Sequence, residues 1–302
     1  MDGVLVVDKP AGLTSHDVVN RVRRILRERS VGHLGTLDPM ATGVLPLVIG
    51  RMTRLAQFYT ASDKTYEGSI RFGFATDTYD AEGEPMGAPQ TVKATLEILE
   101  GLAGDFRGHI RQMPPPFSAK KIHGVPAYKL ARQHKEVELQ PVDVEIKEFA
   151  LLEWDGEQAR FRARVASGTY MRSVAHEMGQ KLGCGAHLAC LRRTALGEFA
   201  IAEAHPLEQL EAAAQQGRAE DLFIHPRKLL PELPSVTATE DVVAKIRVGR
   251  AVNLPELSRA RQVKVFQGQS ELIAIATRVA GTLFHPKIVL AVEPQPVGNR
   301  AR

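Results

Sequence analysis

The residues best suited to chemistry lie in one short stretch, Gly32-His33-Leu34-Gly35-Thr36-Leu37-Asp38-Pro39-Met40-Ala41-Thr42-Gly43. Glycines and a proline at that density do not suit a core strand or helix. The stretch reads as a tight loop holding one carboxylate, Asp38, and one imidazole, His33. An ionised carboxylate on a shaped loop can act as a nucleophile or a base. An Asp before Pro also starts turns, and a loop His is often a plain surface residue, so spacing alone leaves both readings of each residue open. No Gly-Lys-Ser/Thr closes a phosphate-binding loop, and no G-x-G-x-x-G dinucleotide fingerprint occurs. His176-Glu177 lacks the second His of a zinc peptidase helix. Cys184 and Cys190 form no CxxC, so neither a Cys-rich zinc site nor a disulfide framework is expected.

Other residues can join that loop only through folding. Thr65 to Phe72 alternates and sets Tyr66 on a face with Ile70 and Phe72, as a core tyrosine or as a ring able to stack on a base. Arg172 falls in the first turn of a helix spanning Tyr170 to Leu182, off its apolar stripe of Met171, Val174, Ala175, Met178 and Leu182. Residues 112 to 140 form a different kind of segment. Met113-Pro114-Pro115-Pro116-Phe117 cannot be regular structure, and it leads into Lys120, Lys121, His123, Tyr128, Lys129, Arg132, His134 and Lys135. Aromatics among cations are what a looped RNA requires, and a surface insertion without a ligand has the same composition.

The elements that must position these groups are legible in outline. Residues 3–7 read as a buried strand, followed by a turn from Asp8 to Gly12. Ser15 is the expected N-cap of a helix with Val18, Val22, Ile25 and Leu26 inward and Arg21, Arg23, Arg24, Arg27 and Arg29 outward. That basic side is either solvated or phosphate-contacting. A strand is expected over Val44 to Ile49, short helices over Thr53 to Tyr59 and Thr91 to Leu102, and paired strands over Val142 to Leu152 and Gln158 to Ala166. Pro226 to Val236 is a Pro-rich connection, beyond which a helix from Asp241 to Val248 and strands over 262–266, 272–278 and 283–290 form a β-rich module. In all, the 302 residues suggest an α+β catalytic domain over 1–232 and a small domain over 233–302. A net charge of +4 gives only mild support for a polyanionic partner, and no signal peptide or membrane span is visible, which suits a cytoplasmic protein.

Taken together, several segments resemble the TruB family of bacterial tRNA pseudouridine synthases. They are Val7-Asp8-Lys9-Pro10-Ala11-Gly12-Leu13-Thr14-Ser15, the Gly32 to Gly43 loop, Lys64-Thr65-Tyr66-Glu67-Gly68 with Thr76-Asp77-Thr78-Tyr79-Asp80, Ser167-Gly168-Thr169-Tyr170-Met171-Arg172-Ser173, and Leu191-Arg192-Arg193-Thr194. They follow the family's order over roughly the first two thirds of the chain.

The resemblance implies a mainly antiparallel sheet with flanking helices, a PUA-like RNA-binding domain at the C-terminus, and an RNA-clamping insertion at about 112–140. It implies that Asp38 is the catalytic carboxylate, that Tyr66 stacks on the base and takes the proton at C5, and that Arg172 pairs with Asp38 and orients it bidentately. Among substrate-binding residues it implies Tyr170 and Leu191 in the base pocket, His33 holding the flipped-out RNA, and Lys9 supporting the site. The substrate implied is uridine 55 in the T loop of tRNA, with no cofactor, no metal and no obligate protein partner. Three routes stay open for Asp38: addition at C6, attack at C1′, or proton removal from C2′ through a glycal. A tRNA-binding and folding factor in which Asp38 only shapes a loop is the competing reading.

Overall fold

The computed structural model describes residues 1–117, 121–122, 125–126, 139–256 and 258–291, so most of the basic part of the 112–140 insertion lies outside the described residues. In chain order the elements are β1 (Gly3–Lys9), α1 (Ser15–Leu26), β2 (Val31–His33), β3 (Thr42–Ile49), a 3-10 segment (Gly50–Phe58), β4 (Lys64–Phe72), β5 (Ala75–Thr76), β6 (Pro85–Met86), α2 (Leu96–Gly104), β7 (Gly108–Gln112), β8 (Lys121–Ile122), β9 (Val125–Pro126), β10 (Val142–Trp154) and β11 (Gln158–Val165). There follow α3 (Met171–Leu182), β12 (Ala186–Leu196), β13 (Phe199–Ala200), α4 (Leu207–Gln215), β14 (Ser235–Thr237), α5 (Glu240–Arg247), β15 (Val252–Asn253), β16 (Gln262–Gln267), β17 (Glu271–Ala280) and β18 (Leu283–Val289).

A nine-stranded sheet in the order β1-β3-β12-β4-β11-β10-β7, with β2 and β13 at its margins, carries the site. Its pairings are antiparallel except for the short contact of β3 with β12. The unbroken apolar runs of β1 and β3 arise because these strands are covered on both faces. Leu5, Val7, Leu45, Leu47 and Ile49 face a core shared with α1 and α3. Val4, Val6, Val44 and Val48 face a second core. On β4 and β11 one face only is covered, which gives the alternation: Tyr66, Ile70, Phe72, Phe161, Ala163 and Val165 are buried while Glu67, Arg160, Arg162 and Arg164 are exposed.

The C-terminal sheet, β14-β16-β17-β18-β15, has its own core. It also sends Phe266, Leu272, Ile275 and Ile288 into the second core, against the outer face of β1 and β3. Arg51 ties Asp2 to the Leu290 carbonyl across this junction. Lys264, almost wholly buried, donates to the carbonyls of Arg227 and Leu229 in the connecting segment.

Several local expectations are revised. The N-cap of α1 is Thr14, which forms a reciprocal capping box with Asp17, and Ser15 turns inward instead. Lys9, expected in a turn, ends β1, and Val31–His33, expected in a loop, pairs with β3. The helix expected from Thr91 begins only after its cap, Thr95, and the segment after Ile49 winds as 3-10. The outward arginines of α1 are partly committed: Arg21 pairs with Glu208 and Glu211 of α4, and Arg23 donates to the Val31 carbonyl. Among the described residues no helix is long and apolar enough to cross a membrane.

Candidate active site

Asp38 sits on the loop between β2 and β3, and contacts from several elements fix that loop. Ser15 Oγ accepts from the Leu37 amide at 2.8 Å and lies 3.1 Å from the Leu37 carbonyl, to which it donates. Lys9, fully buried, directs its ammonium to the carbonyls of Pro10 at 2.9 Å, Leu13 at 2.7 Å and Pro39 at 3.1 Å. Arg193 donates to the Gly35 and Thr36 carbonyls. At the end of the loop Gly43 has φ +99°, and a Cβ there would stand 2.2 Å from the Arg193 carbonyl. Only glycine lets β3 approach β12 this closely. The Asp38 side chain is left 33% exposed on this braced backbone.

Arg172 meets it from the first turn of α3, with its side chain only 5% exposed. Its Nη2 donates to Asp38 Oδ1 at 3.0 Å. Its Nε stands 3.0 Å from Oδ2 as a charge contact whose N–H is not aligned for a hydrogen bond, so the pairing is not the bidentate fork expected from sequence. The same guanidinium donates to the carbonyls of Thr78 and Phe117 and lies 3.5 Å from Asp80 Oδ2. Asp80 is itself buried and held by the Thr78 hydroxyl at 2.6 Å and the Glu82 amide at 3.1 Å. Between Thr78 and Asp80, Tyr79 adopts φ +66° with its ring stacked 3.7 Å from that of His176.

A cleft of about 410 Å³ opens on one side of the Asp38–Arg172 pair, lined by Tyr66, Tyr170, Leu191, His33 and Lys64. A second cavity of about 490 Å³ opens on the other side, lined by His16, Thr78, Glu82 and Phe117. Of the site residues implied by the resemblance, Asp38, Tyr66, Arg172, His33, Tyr170 and Leu191 line the first cleft, and Lys9 lies under the loop and braces it. Burial pushes the Tyr66 hydroxyl above the ordinary tyrosine range, with Arg193 pulling the other way. Burial, with Arg193 and His16 nearby, holds the His33 imidazole below its usual value and so neutral at pH 7. Burial also lowers Lys9 and Lys64, each to about 8. One side of the cleft is thus an ion pair, and its walls are two tyrosine rings, an apolar side chain, a neutral imidazole and Lys64.

Residues 23–171 match the model of the TruB family pseudouridylate synthase N-terminal domain, and residues 172–232 match that of the tRNA pseudouridylate synthase B C-terminal domain. The chain is 52% identical over 293 residues to tRNA pseudouridine synthase B of Solibacter usitatus, an alignment covering 96% of this chain and all of that one. The chain belongs to the TruB family. A Bacillus thuringiensis tRNA pseudouridine synthase B is 39% identical, covering 98% of this chain and 97% of the relative. Among solved structures, a chain of a Cbf5–Nop10–Gar1 complex superposes with a TM-score of 0.69 at 25% identity, covering 96% of this chain and 85% of that one.

Three buried polar residues of this TruB chain were not assigned a place in the site from sequence. Asp80 is the second carboxylate on Arg172. Gln112, fully buried on β7, accepts from the Tyr170 amide and donates to the Tyr170 carbonyl, fixing the start of α3. Arg193 supports the loop from beneath. No periodicity marks such residues, because each is buried by a partner distant in sequence.

Proposed function

We propose that this chain isomerises uridine 55 in the T loop of tRNA to pseudouridine, with Asp38 as the catalytic carboxylate. The observation that carries the reading is a carboxylate held on a buried guanidinium beside a cleft whose other walls are Tyr66, Tyr170 and Leu191. Membership of the TruB family and high identity to tRNA pseudouridine synthases support the same reading.

The reaction breaks N1–C1′, turns the uracil and joins C5 to C1′. It has no net redox change and transfers no group from a donor. The base must leave its stack, at a cost of a few kcal/mol, roughly the scale that stacking and apolar contacts in a pocket can offset. Arg172 pairs with Asp38 and keeps it aimed at the cleft. Asp80, on the far side of the guanidinium, restricts how Arg172 can move. Tyr66 stacks on the uracil and receives the C5 proton after C5 has joined C1′, while the freed N1 takes up a proton, so that no net proton is gained or lost. Asp38 suits addition at C6, attack at C1′ or removal of a C2′ proton alike, since all three place the carboxylate against the same nucleoside. His33 contacts the flipped-out strand, and Lys9 shapes the loop from below.

In this reading residues 1–232 act as the catalytic domain, residues 233–302 as a PUA-like RNA-binding domain, and the basic insertion at about 112–140 as a clamp on the T arm of tRNA in the cytoplasm. The test is incubation of purified protein, without cofactor, with an unmodified T-arm stem-loop, followed by mapping of pseudouridine. Modification at position 55 by the parent and none by Asp38→Ala is expected. Tight binding with no modification by the parent would leave the tRNA-folding reading in its place.

A further inference from the structure

Among the described residues Arg193 is the largest side chain removed entirely from water. It stands where strands meet: β12 pairs it with Gly43 of β3 on one side and with Tyr66 of β4 on the other. Its guanidinium runs beneath the loop that carries Asp38. Nε donates to the Val44 carbonyl at 2.7 Å, Nη1 to Thr36 at 3.2 Å and Nη2 to Gly35 at 2.9 Å. The Tyr66 hydroxyl lies close enough to interact with the charge of this guanidinium.

Among the described residues Arg193 forms no ion pair; Asp38 acts on its charge only through space. Burying a cation without a touching anion is costly, and a neutral side chain of similar size fills the same volume without that cost. Lys9 and Ser15 already grip the loop at Pro39 and Leu37. What Arg193 adds is a grip on Gly35 and Thr36, and positive charge close to the Tyr66 hydroxyl. Burial drives the Tyr66 hydroxyl upward and Arg193 opposes that rise.

We propose that Arg193 is a positioning residue for the isomerisation, fixing the loop that carries Asp38 against the strand that carries Tyr66 so that both groups meet one uracil. The inference rests on the function proposed above and extends it to a residue outside the cleft lining. Its charge opposes the rise that burial gives the Tyr66 hydroxyl, and its fork holds the loop in place.

The test uses the full chain with Arg193→Met and Arg193→Lys, on an unmodified T-arm stem-loop. For Arg193→Met, kcat is expected to fall about 100-fold, the scale of a misplaced reacting group. KM and the Kd for the stem-loop should stay within about threefold, with native near-ultraviolet circular dichroism. Arg193→Lys keeps the charge but not the planar fork, and its kcat should fall about 10-fold. In a Tyr66→Phe background, Arg193→Met should add less than about threefold, because the two groups act as a unit.

Turnover by either folded variant within about threefold of the parent overturns the proposal. So does a loss that appears equally in Kd and kcat, or one that multiplies with that of Tyr66→Phe. Should Arg193→Met not fold, Arg193→Lys decides by the same readouts. A parent that makes no pseudouridine removes the proposed function and this inference together. A parent that does, beside Arg193 variants that match it, removes this inference alone.

Discussion

Asp38 and Lys9 show two ways a charged side chain serves one loop. Asp38 faces the cleft, and its neighbour Arg172 is committed to backbone carbonyls as well as to the carboxylate. Asp38→Asn keeps the shape and can still accept from Arg172, so stem-loop affinity should change by less than about threefold while turnover drops about 1,000-fold or more. Filter binding and single-turnover kinetics read the two separately. Lys9 is buried with its ammonium on three carbonyls, and titrates at about 8 against an ordinary 10.5. The folded state therefore carries a penalty for the charge that is complete below pH 8, and the unfolded chain binds more protons between pH 8 and 10.5. Across that window the unfolding free energy of the parent should rise relative to Lys9→Met, measured by urea denaturation at successive pH values. Lys64 is lowered to the same range and is common to both proteins, so the comparison isolates Lys9. The type and place of Asp38 were legible in the sequence, but its partnership with Arg172 came only through resemblance. Asp80, Gln112 and Arg193 were not legible as site residues, because what buries a polar group is its distant partner.

At the scale of elements, β1, β3, β4 and β11 could be read directly, because burial on two faces or on one writes an apolar run or an alternation. β12 could not. Its pairing with β4 shifts register between Leu188 and Cys190 and again between Arg193 and Ala195, and each irregularity breaks the two-residue period. The same irregular strand delivers Leu191 to the cleft and Arg193 beneath the loop. A serine before an apolar stripe fits the role of a cap, yet Thr14 takes it, and the Ser15 hydroxyl joins α1 to Leu37. The close approach of β3 to β12 has a direct consequence for substitution. Gly43→Ala places a methyl against the Arg193 carbonyl at a positive φ and should cost about 3 kcal/mol or more. Guanidinium denaturation measures that cost, and turnover should fall further than stability alone explains, because the loop bearing Asp38 must move.

At the scale of the whole molecule, the C-terminal sheet shares a core with the outer face of β1 and β3. Phe266, Leu272, Ile275 and Ile288 share a core with Val4, Val6, Val44 and Val48. The Pro-rich connection suggested a boundary from composition, and composition is blind to side chains that cross it. Deleting residues 233–302 is therefore expected to do more than weaken RNA affinity. It uncovers the outer face of β1 and β3, so the shortened chain should melt several degrees lower and bind a hydrophobic dye. Differential scanning calorimetry and dye fluorescence check this, and an unchanged melting temperature would count against the shared core.

The two-sided burial of β3 also limits how this strand can change by insertion or deletion. Loss of a single residue within it turns every later side chain over: Leu45, Leu47 and Ile49 would exchange places with Val44 and Val48, between cores of different shape. Such a frame slip would misfit both layers at once, while also moving the anchor point of the loop that ends at Gly43. Length variation should be tolerated only outside the strand, which makes β3 the ruler against which the catalytic loop and the C-terminal sheet are both set.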